Sequence, residues 1–390
     1  MGADPFPTVP AGWLLEQLFV ADPVHPPTSG GGAMRPVRQT DAVSARPYRL
    51  AWSREADGLR HEIFEQKLPS RIGFATSGHT GASRSWIRDR EQLRAEVDLL
   101  RTILRTDSVD AVITFAPAHH LYGFLLSFVL PMLEGIDVRF WPMTLQHPVR
   151  FENVSRPLFV TVPSALMRLN RQARGLASYE SVTVVHSTAV LPAAGRSLMA
   201  KRVTDLRLVE LFGSTETGLV ASRANSGSDA DPWDLAPDVD VVRPAMGQEG
   251  GLRLRGPRLA FDEGGVRLDE WDMDDSVRLL DDRRFVFEGR DSLLVKVNGR
   301  RVYLDRVEDL LRAVIPCKDL ACIPARDRLR GEGFDLLIVP RPDRPLSVAD
   351  ARRLCRPRLR GIGQPRMVSL VQGIPRTATG KLRLGALSGD

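Results

Sequence analysis

The feature that most constrains the fold is an alternation of short apolar runs with helix-like segments through the middle of the chain. The apolar runs, each short enough to be a buried strand, lie at residues 112–115, 158–162, 182–185 and 206–211. Ahead of the first run, apolar residues recur at helical spacing at Leu93, Val97, Leu100 and Leu104. Such alternation is typical of α/β layers around a largely buried sheet. We therefore predict layered α/β sheets for the large N-terminal part of the chain.

The pattern changes at about residue 251 to short strands separated by turns, as in GLRLRG, VRLLDD and RRFVFEG. This stretch predicts a small β-rich module. Beyond Arg290 a compact α+β pattern follows, with a strand through Lys296, a helix near residues 305–314 and strands near Leu320 and Leu336. We predict two domains, a large one at residues 1–290 and a small one at residues 292–390.

Apolar runs and cysteines indicate the compartment. No run of 18 or more apolar residues occurs, and the first twenty residues do not have the pattern of a secretory signal. The odd number and the spacing of Cys317, Cys322 and Cys355 indicate neither a disulfide framework nor a zinc site. We therefore expect a protein without a membrane span in a reducing cytoplasm.

Positive charge is concentrated near the C-terminus. Residues 292–390 contain 20 basic and 10 acidic residues, whereas the rest of the chain contains 34 basic and 38 acidic residues. Five arginines cluster there: Arg352, Arg353, Arg356, Arg358 and Arg360. Such a cluster attracts a phosphorylated cofactor, an acidic protein or nucleic acid, and a solvated helix face is an equal alternative. Nucleic-acid binding is disfavoured because no reading motif with interleaved aromatics is present and the body is net negative.

A segment rich in glycine and hydroxyl groups, FATSGHTGASRS at residues 74–85, follows a strand-like run. Glycines let the backbone approach a phosphate closely, and successive N–H and hydroxyl groups then form an anion-binding concavity. The spacing and the absence of the lysine exclude the G-x-x-x-x-G-K-[ST] P-loop. The segment predicts phosphate binding, with a plain polar surface loop as the alternative.

A second polar segment, VELFGSTETG at residues 209–218, follows another strand-like run. The hydroxyl of Thr215 beside the carboxylate of Glu216 suits a phosphate oxygen and its Mg²⁺, which prefers oxygen ligands. A helix N-cap or a turn is the alternative, because Ser and Thr often satisfy free N–H groups there.

Two further stretches carry charge. The carboxylate of Asp275 is suited to accepting hydrogen bonds from a ribose diol, and Arg290 adds a cationic donor. A hairpin turn is the alternative for Asp275, because DMDD is a turn-like cluster. Lys381 lies in a Gly/Thr-rich stretch, GIPRTATGKLR, and a solvated lysine is its alternative.

In this order, the four stretches resemble the adenylate-forming superfamily of acyl-CoA synthetases, peptide-synthetase adenylation domains and luciferases. The family's phosphate loop, [YF]-T-S-G-[ST]-T-G-x-P-K-G, is matched at Thr76, Ser77, Gly78, Thr80 and Gly81. The chain departs from it at His79, Ser83, Arg84 and Ser85. The resemblance runs from about Arg71 to the C-terminus and covers little of residues 1–70. It therefore describes a shortened member, in which a partner is able to replace the missing N-terminal part.

The remaining family motifs are matched more closely. LFGSTE resembles Y-G-x-T-E, with Phe212 for tyrosine, and the G-D…G-R segment is matched at Asp275 and Arg290. K-x-x-G-x-R is matched at Lys296, Gly299 and Arg301. IPRTATGKLR resembles P-x-T-x-x-G-K-x-x-R, which gives Lys381 the place of the catalytic lysine, and PAHHLYG resembles P-x-x-H-x-x-G, which gives His120 a place near the acyl pocket. A capping or core histidine is the alternative for His120.

The resemblance implies that ATP activates a carboxylic acid as an acyl-adenylate with release of pyrophosphate. It implies a phosphate and nucleotide site at Thr76, Ser77, Gly78, Thr80, Gly81, Arg84, Gly213 and Ser214. Thr215 and Glu216 would contact the α-phosphate and Mg²⁺, Asp275 and Arg290 would hold the ribose, and Lys381 would bridge carboxylate and phosphate. The acid pocket would lie between His120, His186, Ser187 and Gly213. An aryl or short acyl acid is the expected substrate.

The resemblance also implies a second half-reaction. The small C-terminal domain would swing about a hinge near Ser292, so that the loop with Lys296, Gly299 and Arg301 replaces Lys381 over the site. The expected acceptor is the thiol of CoA or of the phosphopantetheine on an acidic carrier protein, and an amine remains an alternative. A non-catalytic adenylation-fold protein is a further alternative, which Arg84 and Ser85 favour and the retained charged residues disfavour.

Overall fold

The computed structural model describes most of the chain. The described residues are 7–10, 13–19, 35–37, 46–77, 83–148, 151–187, 191–201, 205–228, 230–297, 300–327, 331–376 and 382. Among the site residues predicted above, five lie outside the described residues: Gly78, Thr80, Gly81, Gly299 and Lys381.

The strands of the N-terminal three quarters are numbered in chain order. They are β1 Thr8–Val9, β2 Arg35–Pro36, β3 Tyr48–Leu50, β4 Arg71–Ser77, β5 Ser83–Asp89, β6 Ala111–Thr114, β7 Asp137–Phe140, β8 Pro157–Val160, β9 Ser181–His186, β10 Asp205–Ser214, β11 Gly218–Ala224, β12 Trp233–Leu235, β13 Asp240–Arg243, β14 Glu249–Arg255, β15 Trp271–Leu279 and β16 Arg284–Arg290. The C-terminal strands are β17 Leu294–Val297, β18 Arg300–Tyr303, β19 Cys317–Asp327, β20 Gly331–Pro340 and β21 Val368–Leu370.

The helices are numbered in the same way. They are α1 Trp13–Leu18, α2 Asp57–Glu62, α3 Arg90–Leu104, α4 Leu121–Phe124, α5 Leu130–Glu134, α6 Pro163–Arg171, α7 Ala173–Leu176, α8 Ala193–Ala200, α9 Leu304–Arg312 and α10 Val348–Arg358. Single π-helical turns at Ile63–Lys67 and Leu125–Val129 continue α2 and α4. Within the described ranges, no helix is both long and apolar enough to cross a bilayer.

One extended sheet dominates the fold. Its order within the described residues is β1-β3-β7-β6-β8-β9-β10-β11-β12-β16-β15-β14-β13, and β2, β4 and β5 form a separate small sheet. From β7 to β10 the strands are parallel, and from β10 onwards they are antiparallel. The predicted α/β class is therefore confirmed, and the predicted β-rich module is the antiparallel continuation of the same sheet.

The parallel strands are buried because helices cover them. β6 and β8 are buried at every position, as expected of parallel strands with both faces covered. Helix α3 packs on this core through Leu93, Val97, Leu100 and Leu104, the four residues whose spacing predicted it. It begins at a capping box, in which the Asp89 carboxylate accepts from the backbone N–H of Gln92 at 2.8 Å.

The residues after Arg290 build a separate hydrophobic cluster from β17–β21, α9 and α10. Among the described residues, no buried apolar side chain belongs to both this cluster and the clusters of the large sheet. Two contacts between the residues after Arg290 and the large sheet are polar. Tyr303 Oη donates to Glu249 at 2.9 Å, and Arg306 Nη2 donates to the carbonyl oxygen of Phe287 at 2.8 Å. The domain boundary at 290–292 stays a prediction.

Candidate active site

The predicted phosphate loop begins in the hairpin of β4 and β5. Thr76 lies opposite Arg84 in the antiparallel register, and its hydroxyl donates to the carbonyl oxygen of Arg84 at 3.3 Å. β4 ends at Ser77, and the side chain of Arg84 is exposed on β5. The hairpin thus brings Thr76 and Arg84 together on either side of the segment that contains Gly78, Thr80 and Gly81.

The predicted Thr–Glu pair lies in the turn between β10 and β11. We call residues 214–217 the STET turn. It is closed by the N–H of Ser214, which donates to the hydroxyl of Thr217 at 3.0 Å. A Cβ atom at Gly213 would lie 2.0 Å from the carbonyl oxygen of Gly218, so the chain can close this tight turn only with glycine there. Thr215 and Glu216 are half-buried, and no helix follows, so the helix N-cap alternative is wrong.

A residue that sequence reasoning missed joins the hairpin to this turn. Arg88 on β5 is almost wholly buried, and it donates to the carbonyl oxygen of Thr215 from Nε at 3.2 Å and from Nη2 at 2.8 Å. Its Nη1 donates to the carbonyl oxygen of Arg258. Burial lowers the pKa of Arg88 to about 10, and repulsion from Arg258 acts in the same direction, so the guanidinium stays charged at neutral pH.

A second buried arginine supports the same turn from the other side. Arg258 Nη1 donates to Glu96 on α3 at 2.7 Å, and its Nη2 donates to the carbonyl oxygen of Leu219 at 2.6 Å. Burial disfavours the charged form of Arg258, but Glu96 and Asp238 together raise its pKa above the ordinary value. Glu96 also accepts the N–H of Leu219, so both backbone groups of the residue after Gly218 are held.

The segment that follows Arg258 completes the connection. The backbone of Phe261 pairs with Ile87 on β5 through two bonds of 2.9 Å, and the N–H of Ala260 donates to the carbonyl oxygen of Glu216 at 2.8 Å. The hairpin and the STET turn therefore share one scaffold of backbone bonds and buried charge. No local pattern in the sequence marked these charged residues, because their partners lie far away along the chain.

The predicted ribose pair lies on two neighbouring strands. Asp275 on β15 faces Arg290 on β16, and Arg290 Nε lies 3.8 Å from Asp275 Oδ1. Asp275 is inside a strand, so the turn alternative is wrong. Beside this pair, Ser292 donates its N–H to Asp274 at 2.8 Å, and its hydroxyl donates to the same carboxylate.

The predicted acid pocket lies at the carboxyl ends of parallel strands. His120 precedes α4 but caps it with no side-chain hydrogen bond, so the capping alternative is wrong, and its ring centre lies 4.1 Å from that of His119. His186 ends β9 and is wholly buried, and Ser187 follows it half-buried. Gly213 lies near the end of the next strand, β10.

Two neighbours of this pocket were not predicted. Tyr122 Oη lies within hydrogen-bonding distance of two carbonyl oxygens, those of Thr161 at 3.1 Å and Val185 at 3.0 Å. The Thr161 hydroxyl lies 3.2 Å from Nδ1 of His186. Tyr122 belongs to the PAHHLYG motif, so its position in that motif was an available signal. Thr161 had none beyond its place after a buried strand.

The residues predicted for the second half-reaction lie on the hairpin of β17 and β18. Lys296 is exposed and pairs with Arg301 in the register, and its N–H donates to Glu332 at 2.8 Å. The described ranges contain no group of three or more His, Cys, Asp and Glu side chains arranged for a metal. Mg²⁺ is commonly bound through one or two carboxylates plus substrate phosphates, and the half-buried Glu216 fits that use.

Several known proteins are similar to the chain in sequence, although no protein-family model matches it. The uncharacterized acyl-CoA ligase YhfT of Bacillus subtilis is 24% identical over 332 residues, which are 80% of this chain and 67% of that protein. A 4-coumarate–CoA ligase of Cereibacter sphaeroides is 26% identical over 321 residues, covering 80% and 70%. An L-proline–[L-prolyl-carrier protein] ligase of Pseudomonas fluorescens is 26% identical over 273 residues, covering 65% and 53%. The chain therefore spans between about half and seven tenths of the length of these relatives.

Solved structures share the fold. ATP-bound MatB from Rhodopseudomonas palustris has a TM-score of 0.63 at 19% identity, covering 81% of this chain and 67% of that one. The anthranilate CoA ligase AuaEII with anthranoyl-AMP has a TM-score of 0.65 at 20% identity, covering 81% and 66%. The chain has its motifs in the order of the adenylate-forming superfamily, its curated relatives include ligases, and it shares the fold of solved adenylate-forming enzymes.

Proposed function

We propose that the chain uses ATP to activate a carboxylic acid as its acyl-adenylate and then transfers the acyl group to a thiol. The observation that carries this proposal is the double hydrogen bond from Arg88 to the carbonyl oxygen of Thr215, which fixes the phosphate-loop hairpin against the STET turn. The curated relatives, named as CoA and carrier-protein ligases, support the same reaction class.

In the first step a carboxylate oxygen attacks the α-phosphorus of ATP, and the bond to pyrophosphate breaks. Catalysis of this kind depends on positioning and on stabilising developing negative charge. Thr76 and Arg84 would contact the departing phosphates, Thr215 the α-phosphate, and Asp275 with Arg290 the ribose. Glu216 would hold Mg²⁺, which neutralises phosphate charge when bound. Lys381 would bridge the carboxylate and the α-phosphate.

In the second step the thiol sulfur attacks the acyl carbon and AMP leaves. The acceptor that we propose is the phosphopantetheine thiol of CoA or of an acidic carrier protein, with the loop around Lys296, Gly299 and Arg301 facing the thiol. Four of the five clustered arginines support an anionic acceptor, because they line a shallow depression of about 290 Å³ on α10: Arg352, Arg353, Arg356 and Arg360. Arg358 does not line it.

The arginines around this depression differ in their partners. Arg353 pairs with Asp350 at 2.9 Å, and Arg352 donates to the carbonyl oxygen of Arg366 at 3.2 Å. For Arg356 and Arg360, no carboxylate lies within ion-pair distance in the part of the chain that the structure describes. Unpaired cations in a concave site favour an anionic partner over a merely solvated surface.

The acid that we propose is an aryl or short acyl acid. The pocket supports this choice because the side chains of Tyr122 and His186 lie at the ends of β8 and β9, and a 4-coumarate ligase is among the relatives. We place the reaction in the cytoplasm, since all three cysteines are free thiols and Cys322 and Cys355 are buried.

ATP–pyrophosphate exchange across a panel of aryl and short acyl acids tests the proposal. We expect exchange that depends on both the acid and Mg²⁺, followed by thioester formation when CoA or a holo carrier protein is added. ATP binding without exchange for any acid would support the non-catalytic alternative. Exchange followed by transfer only to amines would replace the thiol as acceptor.

A further inference from the structure

One ring nitrogen of His186 lies within hydrogen-bonding distance of a hydroxyl group. Nδ1 lies 3.2 Å from the hydroxyl oxygen of Thr161. That hydroxyl also lies 2.8 Å from the carbonyl oxygen of Val185, to which it is placed to donate its single hydrogen. When it does so, it accepts from the ring, Nδ1 carries the proton and Nε2 presents a lone pair.

The other ring nitrogen has no partner. His186 is 1% exposed, and Nε2 makes no hydrogen bond to any part of the chain that the structure describes. Burial lowers the pKa of His186 to about 4, although hydrogen bonding to the backbone of Thr161 opposes the shift, so the ring is neutral at pH 7. A buried acceptor without a partner is uncommon, because its lost hydration is not replaced.

The position of His186 indicates what could bind to this nitrogen. It is the last residue of β9, Thr161 directly follows β8, and Tyr122 reaches the carbonyl oxygens of Thr161 and Val185 from α4. In open α/β sheets, ligands bind in the crevice outside the carboxyl ends of the strands. The unpaired Nε2 thus lies at the strand ends where the proposed acid pocket is situated.

We propose that the acid carries a hydroxyl or amino group that donates a hydrogen bond to Nε2 of His186. This inference rests on the proposed function for the location of the pocket and adds the chemical class of the substrate. Sites built around a buried acceptor discriminate strongly, because a substrate without the donor leaves the acceptor unpaired. We expect donor-bearing acids to be preferred at least about 100-fold in kcat/KM.

The test compares acids that differ only in the donor. Each hydroxybenzoate and aminobenzoate isomer is paired with benzoate and with its methyl ether or dimethylamino analogue, and 3-hydroxybutyrate is paired with butyrate. The ratio of kcat/KM within each pair is measured by ATP–pyrophosphate exchange in the wild type, His186→Leu, His186→Gln and His61→Leu. His61 is a matched control because it is exposed on α2.

We expect at least one wild-type pair with a ratio of about 100 or more, a ratio near one in His186→Leu, and an unchanged ratio in His61→Leu. His186→Gln keeps a polar group, so its kcat/KM ratio should lie between the wild-type ratio and one. This variant replaces His186→Leu in the test if the leucine variant does not fold. Wild-type ratios near one for every pair, or a ratio that survives in His186→Leu, would overturn the inference. If no acid supports exchange, the proposed function fails. Calorimetric binding of the same acid pairs to the wild type and His186→Leu then decides the inference separately, and equal affinities within every pair would reject it.

Discussion

Arg88 and Thr215 are 127 residues apart in the sequence, yet the guanidinium of one donates two hydrogen bonds to the carbonyl oxygen of the other. The bonds are formed in a buried environment, where an unpaired carbonyl would be costly. They fix the turn that contains Glu216 relative to the strand that follows the phosphate loop. Two parts of the proposed nucleotide site are therefore held in register by a residue that need not touch the nucleotide.

Replacing Arg88 by methionine should lower adenylation by about tenfold to a hundredfold, because a displacement of about 1 Å in a positioned group is enough for such a loss. The loss should appear in kcat/KM for ATP more than in the KM for the acid. Arg88→Lys should restore little, since an ammonium cannot reproduce the fork of donors. Arg90→Met, two residues further along, is the control, and an equal loss there would contradict a specific role for Arg88.

Replacing Lys381 by alanine should reduce adenylation by about 10²–10³, the usual cost of removing one electrostatic contact to a transition state. Thioester formation from purified acyl-adenylate should stay close to the wild-type rate, because the lysine acts only in the first step. Pyrophosphate exchange and single-turnover thioester formation measure the two halves. Unchanged exchange in the variant would refute the assignment of Lys381.

Replacing Ser292 by proline should slow the thioester step more than adenylation, because proline fixes φ at the predicted hinge. The change also removes the N–H and the hydroxyl that donate to Asp274. Ser292→Ala removes the hydroxyl alone and separates that contact from the backbone effect. Equal slowing of both half-reactions in the proline variant would count against a hinge at this residue.

Replacing Arg356 and Arg360 together by glutamine should weaken use of the acceptor and flatten its salt dependence, because charges at the rim of an interface act mainly on encounter rates. Pyrophosphate exchange should be unchanged. The control is Arg341→Gln with Arg344→Gln, which removes the same charge from the same part of the chain outside the depression. Comparing kcat/KM for CoA and for a holo carrier protein at low and moderate salt identifies the acceptor. Equal salt slopes in both double variants would show that the depression does not bind the acceptor.

Stability should decrease as the pH falls from about 6.5 towards 4. The pKa of His186 is lowered from 6.5 to about 4 by burial, so between these values the unfolded chain binds a proton that the folded chain does not. For this residue alone, unfolding at pH 5 should be easier than at pH 7 by about 2 kcal/mol. Urea denaturation of the wild type and His186→Gln at both pH values isolates the contribution of His186 to the free energy of unfolding. That contribution is absent if the free energy of unfolding falls by the same amount in both proteins between pH 7 and pH 5.

Much of the fold followed from local patterns. The apolar runs predicted β6, β8, β9 and β10, and four apolar residues at helical spacing predicted α3. The spacing of apolar residues was informative because these elements are buried, and because each keeps one spacing of apolar residues along its whole length. The sequence did not indicate that the antiparallel module would continue the parallel sheet, since strand pairing depends on residues far apart.

The site was predictable only in part for the same reason. Glycine and hydroxyl groups marked the STET turn and the phosphate-loop hairpin, because their spacing is local. Arg88, Glu96 and Arg258 gave no such signal, since their partners are up to 170 residues away. The lone pair inferred for Nε2 of His186 was equally hidden, because it depends on how Thr161 directs its single hydroxyl hydrogen.

The polar contacts between the large sheet and the residues after Arg290 have a thermodynamic consequence. Tyr303 with Glu249, and Arg306 with Phe287 and Glu288, can exchange these partners for water without uncovering either hydrophobic cluster. Heat-capacity changes come mainly from apolar surface, so a rotation along this boundary would have a small one. The enthalpy difference between two orientations would then be nearly constant with temperature, and their equilibrium would depend on ionic strength because charged groups form these contacts.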